Sequence, residues 1–284
     1  MQLLASSYRV VSAAEVLEVR RGRGELPPRS VAVTFDDAYC DFAEHAWPIM
    51  RRLGLPVTLF VPTGYPDRPD RAFWWDRLYA ALAGTTRNGS LETPVGRLEL
   101  RSRAARGRAY RLLRDHLKSL PHAEAMAALD ELSSKLEAPA PVSAVLGWEE
   151  LRRLAAEGVV LAPHSRTHPL LNRVSPEERD AEIVGSREDL EREVGPAPPV
   201  FAYPAGGLCD AVVAALAKAG FELAFTTGRG TNDLSRADWL RLRRVNVGRR
   251  TTLPLIRAQL LPSLARIGGT RRGSSPTRLG SGLH

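Results

Sequence analysis

The stretch Val31-Ala-Val-Thr-Phe-Asp-Asp37 ends an apolar, β-branched run in two adjacent carboxylates. A second stretch, Pro163-His-Ser-Arg-Thr-His168-Pro169, follows another apolar run and carries two histidines four positions apart. Each apolar run predicts a buried strand, the first over residues 30–36. In parallel α/β folds, sites are assembled beyond the carboxyl ends of the strands. We therefore expect these four side chains to meet at one edge of a sheet.

These residue types indicate a metal site. One Asp with two His forms a three-ligand set for a catalytic divalent metal and leaves positions open for water and substrate. Zinc is the ion expected for such ligands, and cobalt or nickel would also fit them. The second carboxylate is a candidate general base, because successive side chains of an extended segment point in different directions. Alone, each pair has an ordinary explanation, as a helix cap or as exposed histidines; together, at two strand ends, they favour the metal site.

The flanking sequence predicts an α/β fold. Helical periodicity over 41–53 ends at Gly54, and Pro56-Val-Thr-Leu-Phe-Val-Pro62 is a second continuous apolar strand. Strands this apolar have no face suited to solvent exposure, which argues for a parallel sheet covered by helices on both sides. Residues 9–20 have roughly helical spacing. From residue 145 onward, helices are predicted at 148–157, 175–194, 208–219 and 253–265, and strands at 159–162, 200–203, 222–226 and 240–247.

The alternation is interrupted over about 64–145, where helical patterns dominate, with a pair of amphipathic helices expected at 103–118 and 122–137. This segment is predicted to be a mostly helical insertion. We expect residues 1–267 to form a single domain that includes this insertion. Residues 268–284 are rich in Gly, Ser, Arg and Thr and are expected to be a disordered tail. Hydrophobic content of 44% and charged content of 25% are ordinary for a globular domain.

Charge and targeting signals exclude several classes of function. The net charge is +8, but the basic residues, all arginines except three lysines, are scattered among acids. This pattern indicates an arginine-rich genome rather than a nucleic-acid partner. Two cysteines, Cys40 and Cys209, do not make a disulfide framework. No stretch is long enough for a membrane span and no secretory signal is evident, so a cytoplasmic location is expected by default.

Three motifs, in order, resemble those of the polysaccharide deacetylase family, also called the NodB homology domain or carbohydrate esterase family four. They are Thr34-Phe-Asp-Asp37, His164-Ser-Arg-Thr-His168 and Phe201-Ala-Tyr-Pro-Ala-Gly206. The resemblance covers about residues 30–62 and 145–250. It implies an irregular (β/α) barrel, and metal-dependent removal of an acetyl group from an N-acetylated glycan or glycan precursor.

The resemblance also implies a role for each matching residue. Asp36 would be the general base, and Asp37 the metal ligand beside His164 and His168. The backbone N–H of Ala205 would stabilise the tetrahedral oxyanion.

Further residues are predicted to bind the substrate. Tyr203 and Pro204 belong to the third motif. Trp74 and Trp75 could stack on sugar rings, although packing of the insertion explains them equally well. Arg244 is a further substrate-binding candidate.

The chain also departs from the family pattern. Ala38 stands where the family usually has glycine, and Ala202 stands where an arginine often orients the base. Arg243 or Arg244 could replace that arginine, or both could be ordinary surface residues. No histidine occurs between His168 and the last residue to act as the general acid. Two alternatives therefore stay open: a catalytically impaired carbohydrate-binding homologue, and an amide hydrolase acting on a non-sugar substrate. The start at Met1 looks short for the family, which predicts that one barrel strand is missing.

Overall fold

Strands and helices alternate along the chain in the computed structural model, which describes residues 1–261. The strands are β1 (Arg9–Val11), β2 (Ser30–Ala32), β3 (Thr34–Phe35), β4 (Thr58–Val61), β5 (Ser90–Thr93), β6 (Gly96–Glu99), β7 (Val160–Pro163), β8 (Val200–Ala202), β9 (Leu223–Arg229) and β10 (Leu242–Arg244). The α-helices are α1 (Gln2–Ser7), α2 (Ala13–Arg20), α3 (Trp47–Arg52), α4 (Trp74–Gly84), α5 (Arg103–Ser119), α6 (His122–Leu136), α7 (Trp148–Ala156), α8 (Pro176–Glu193), α9 (Asp210–Lys218) and α10 (Leu253–Gln259). None of these helices is long and apolar enough to cross a bilayer.

The strands of the barrel pair in parallel in three groups. Strand β1 pairs with β2, β4 lies between β3 and β7, and β9 lies between β8 and β10. Within residues 1–261 these ladders do not join into a continuous ring. This is the irregular (β/α) barrel that the sequence predicts. Because the strands are parallel, their carboxyl ends lie at one edge.

Burial on both faces explains why the strands read as continuous apolar runs. One face of the central strands contributes Phe60, Ala162 and Phe225 to a buried cluster. The opposite face contributes Leu59 and Leu161, which pack in a second cluster with residues of α3 and α7. A third cluster joins β8 and β9 to α8 and α9. Helices therefore cover the sheet as the strand–helix order predicts.

The insertion has its own core. It consists of α4, an antiparallel hairpin of β5 and β6, and the long helices α5 and α6. Leu78, Leu113 and Leu129 belong to its buried cluster, which is separate from those of the barrel. The predicted helices at 103–118 and 122–137 match α5 and α6 closely, because both have clear 3.6-residue periodicity.

Local differences from the prediction have local causes. The segment predicted as one helix over 9–20 is strand β1 followed by α2. Ser12 and Glu15 form a capping box that begins the helix after the strand. Strand β1 contributes a parallel neighbour for β2. The predicted strand over 30–36 is divided into β2 and β3. In place of the predicted helix over 253–265, α10 ends at Gln259, and residues 262–265 lie outside the described part of the chain. The predicted tail, 268–284, lies outside the described residues.

Candidate active site

Asp37, His164 and His168 converge at the carboxyl edge of the barrel. Asp37 follows β3, His164 follows β7, and His168 ends the loop after β7. Oδ1 of Asp37 lies 3.5 Å from Nε2 of His164 and 3.2 Å from Nε2 of His168. One donor atom from each of the three residues lies within 4.8 Å of the others. The two histidines are almost fully buried.

The donor atoms fit a divalent metal. Nδ1–H of His164 donates to the carbonyl of Ala202 over 2.7 Å, which leaves Nε2 with a free lone pair facing Asp37. Asp37 Oδ1 is buried and has no hydrogen-bond partner among residues 1–261. A buried carboxylate oxygen without a partner is costly unless a cation binds it. Two imidazoles and one carboxylate are the ligands of zinc and of chemically similar ions.

Arg244 holds the second carboxylate. Its Nη1 donates to Asp36 Oδ1 over 2.7 Å and its Nη2 to Asp36 Oδ2 over 2.8 Å. Nε of Arg244 donates to the carbonyl of Thr226, which orients the guanidinium from β9. A bidentate pair fixes both the position and the plane of the carboxylate. Arg244 ends β10 and Asp36 follows β3, so the pair also links two strand groups that share no backbone ladder.

Protonation states suit ligation and base catalysis. Burial acts to raise the pKa of Asp37, but the imidazoles of His164 and His168 outweigh it and hold that pKa well below its usual range. Burial likewise opposes charge on Asp36, but attraction to the protonated form of His164 and the hydrogen bonds and charge of Arg244 hold its pKa below the ordinary value. Burial lowers the pKa of His168, so its imidazole is neutral at pH 7. Both carboxylates are therefore ionised at neutral pH.

A family model described as Polysaccharide deacetylase matches residues 23–224. The chain belongs to the polysaccharide deacetylase family. Among its relatives, the poly-beta-1,6-N-acetyl-D-glucosamine N-deacetylase of Escherichia coli (strain K12) is 35% identical over 68 residues. That match spans 24% of this chain and 10% of the relative, so it covers about a tenth of that protein's length.

Solved structures of deacetylases have the same fold. The deacetylase PplD of Streptococcus pyogenes, solved in complex with acetate, aligns with a TM-score of 0.60 and 19% identity, covering 92% of this chain and 84% of that one. IcaB from Ammonifex degensii aligns with a TM-score of 0.58 and 18% identity, covering 91% and 84%. At these identities the likeness concerns the fold.

The deacetylase motifs adopt a left-handed backbone that explains the glycine usually found after the two aspartates. In this chain Asp37 has φ 73° and Ala38 has φ 52°, and Ser165, His168 and Ala205 also have positive φ. Non-glycine residues in this region carry strain, which proteins concentrate at functional sites. Ala38 is fully buried, so its methyl group is accommodated although its backbone conformation favours glycine.

The third deacetylase motif forms the turn after β8. Ala205 is exposed there, while Tyr203 and Pro204 are buried. The Tyr203 hydroxyl donates to the carbonyl of Leu240 over 2.7 Å. Both side chains are packed inside the fold, so substrate binding by Tyr203 and Pro204 stays a prediction. They support the turn that presents Ala205.

An aromatic group lies against one ligand. Phe73 and Trp75 stack with centroids 4.4 Å apart, and the Trp75 ring meets His168 edge-on at 4.8 Å. Nε1 of Trp75 donates to the hydroxyl of Tyr39, which donates to Asp76. Trp75 thus lies beside the site, and its contact with a sugar ring stays a prediction.

Two other predicted substrate-binding residues, Trp74 and Arg244, make contacts within the protein. Trp74 packs against the core of the insertion, which is the alternative explanation given above. Arg244 binds the carboxylate of Asp36. Of the two arginines that could replace the missing arginine of the third motif, it is therefore Arg244 that contacts the base. Sequence reasoning missed Tyr39, although its position two residues after Asp37 placed it near the site. It also missed two carboxylates of α8, Glu182 and Asp189, which no motif marks.

Proposed function

We propose that this chain is a metal-dependent carbohydrate de-N-acetylase. One observation carries the proposal: the three-donor cluster lies beside a second carboxylate that an arginine fixes, and its buried carboxylate oxygen accepts no hydrogen bond from residues 1–261. Family membership supports the reaction class. The name of the Escherichia coli relative suggests a polymer of N-acetylglucosamine as the substrate.

Asp37, His164 and His168 would hold the metal ion, with zinc the first choice and cobalt or nickel compatible with the same donors. When bound, such an ion polarises the acetyl carbonyl and lowers the pKa of water in the site. The protein keeps the donors ready: Ala202 fixes the tautomer of His164, and burial keeps His168 neutral.

Asp36 is assigned the proton transfers. Its ionised carboxylate takes a proton from the water that attacks the carbonyl carbon. The backbone N–H of Ala205, in the exposed turn, is assigned to the oxygen that gains negative charge. As the C–N bond breaks, the amine needs a proton, and protonated Asp36 can return the one it took. The assignment needs no separate general acid.

A catalytically impaired glycan-binding homologue is the second candidate. The observation in its favour is that no histidine follows His168 within residues 1–261. An amide hydrolase acting on a non-sugar substrate would use the same residues. Turnover separates the first of these from the deacetylase, and a panel of acetylated amides separates the second.

Acetate release from N-acetylglucosamine oligomers and polymers by metal-reconstituted protein tests the proposal. Asp36→Asn should reduce turnover by at least about 100-fold while the metal stays bound. His164→Ala should lose the metal. Near-normal turnover in Asp36→Asn would show that the base is wrongly assigned. Stoichiometric metal without acetate release from any substrate would favour the binding homologue.

A further inference from the structure

The loop between His164 and His168 requires support that its own sequence does not provide. It carries two of the three proposed metal ligands, and both Ser165 (φ 60°) and His168 (φ 58°) have left-handed backbone. Within the loop, one bond, from the N–H of His168 to Oγ of Ser165, bridges the turn. Such a conformation persists only where its surroundings determine it.

Glu182 of α8 binds the middle of this loop. Its Oε2 accepts from the backbone N–H of Arg166 over 2.7 Å and from that of Thr167 over 2.8 Å, and its Oε1 accepts from the Thr167 hydroxyl. Two adjacent N–H groups and one hydroxyl thus converge on one carboxylate. This arrangement fixes the peptide plane between the two histidines.

Asp189, two helical turns further along the same face of α8, binds the side chain of the loop. Its Oδ2 accepts from Nε of Arg166 and from the hydroxyl of Thr63, each over 2.8 Å, and its Oδ1 accepts from Nη2 of Arg166 over 3.1 Å. Arg192 donates to the same carboxylate. The Asp189 side chain is only 6% exposed. It therefore joins the end of β4, the loop and α8 in one network.

Two glycines make room for these contacts. A Cβ on Gly185, between the two carboxylates, would lie 2.7 Å from Cδ of Arg166. A Cβ on Gly64 would lie 2.8 Å from the carbonyl oxygen of Arg166, which accepts the N–H of Gly64. Glycine in the interior of a helix costs about 1 kcal/mol relative to alanine. At position 185 glycine is needed despite this cost, because the Arg166 side chain crosses the helix where a Cβ would lie.

We propose that Glu182 and Asp189 are positioning residues that hold the histidine loop in its metal-binding geometry. The proposal rests on the proposed function for its metal. The two carboxylates do not touch the ligand atoms; they fix the backbone and the arginine between them. Loss of Glu182 should therefore loosen the loop in the metal-free protein and weaken metal binding in the same variant.

The experiment compares Glu182→Gln with Glu188→Gln, a matched change at an exposed glutamate of the same helix. Hydrogen exchange of the Arg166 and Thr167 amides is measured on the full, metal-stripped chain. Zinc affinity is measured by competition with a chelator, and the visible spectrum of the cobalt-loaded protein reports ligand geometry. We expect amide exchange in Glu182→Gln to be about tenfold faster, because the charged acceptor is lost. Zinc binding should be about tenfold weaker, and the cobalt spectrum should change.

Thr167→Val, which removes only the hydroxyl donor, should shift exchange and affinity in the same direction by less. It keeps the test available if Glu182→Gln folds poorly. Wild-type exchange and affinity in both variants, or the same losses in Glu188→Gln, would overturn the proposal. If the wild-type chain binds neither zinc nor cobalt, the proposed function fails. Amide exchange in the metal-stripped chain still tests Glu182: faster exchange in Glu182→Gln than in wild type supports its positioning role, and unchanged exchange rejects it.

Discussion

Replacing Arg244 by methionine tests the pairing that fixes the proposed base. The guanidinium makes two charge-assisted hydrogen bonds to Asp36, and the two side chains are 13% and 29% exposed. Breaking a fully buried ion pair by removing one partner costs about 3–5 kcal/mol. Asp36 keeps some contact with water, so we expect a loss of about 2 kcal/mol in the free energy of unfolding at pH 7.

The loss should depend on pH with a definite sign. The pKa of Asp36 is lowered in the folded protein. Its contribution to stability is therefore complete above the unfolded-state pKa, about 3.9, and is lost as pH falls through the lower folded-state value. The difference between wild type and Arg244→Met should shrink below about pH 4. Because Arg244 helps to hold the pKa of Asp36 down, the acid limb of kcat/KM should move to higher pH in Arg244→Met.

Urea unfolding of the metal-stripped proteins at several pH values measures the first effect, and kcat/KM against pH measures the second. Arg243→Met is the matched control, because Arg243 is the preceding residue of β10 and is exposed. Equal stability of the two variants at pH 7 would refute the reasoning. So would a difference between Arg244→Met and wild type that persists undiminished at pH 3.

Two further predictions concern the backbone strain and the aromatic group. Ala38→Val should lower the free energy of unfolding by about 3 kcal/mol or more in urea titrations, because a branched residue is added at positive φ in a fully buried position. Ala38→Gly should stay within about 1 kcal/mol of wild type, and equal stability of the two variants would contradict the strain argument. Trp75→Ala should lower kcat/KM for an N-acetylglucosamine oligomer by about tenfold, corresponding to about 1.4 kcal/mol, whereas Trp74→Ala should mainly lower the melting temperature. If Trp74→Ala instead lowers kcat/KM and Trp75→Ala mainly lowers the melting temperature, the glycan lies on the other side of α4.

Local patterns in the sequence were sufficient for much of the fold. The apolar run before His164 is read correctly as a buried parallel strand, because burial on both faces leaves no polar alternation. The run before Asp36 also pairs in parallel, but it forms two short strands, β2 and β3, that are only half-buried. The insertion helices α5 and α6 were predicted almost to the residue from their periodicity. Strand β1 was missed because three residues carry too little periodic signal, although the Ser12 capping box marks where the helix begins.

The sequence also determined the chemistry available at the site. The types and order of Asp36, Asp37, His164 and His168 predict a metal-binding edge, because ligand chemistry is a property of single side chains and parallel strands bring their carboxyl ends together. The sequence left open whether Arg243 or Arg244 replaces the arginine of the third motif, and it did not indicate that the side chains of Tyr203 and Pro204 are packed inside the fold.

Only the tertiary structure decided those questions and revealed the support from α8. Arg244 reaches Asp36 from a strand more than two hundred positions away, and Glu182 and Asp189 hold the histidine loop from a helix that no motif marks. Burial and partner choice depend on which surfaces the packed chain brings together. A residue's type shows which bonds it can make, but the fold decides which partner lies within hydrogen-bond distance.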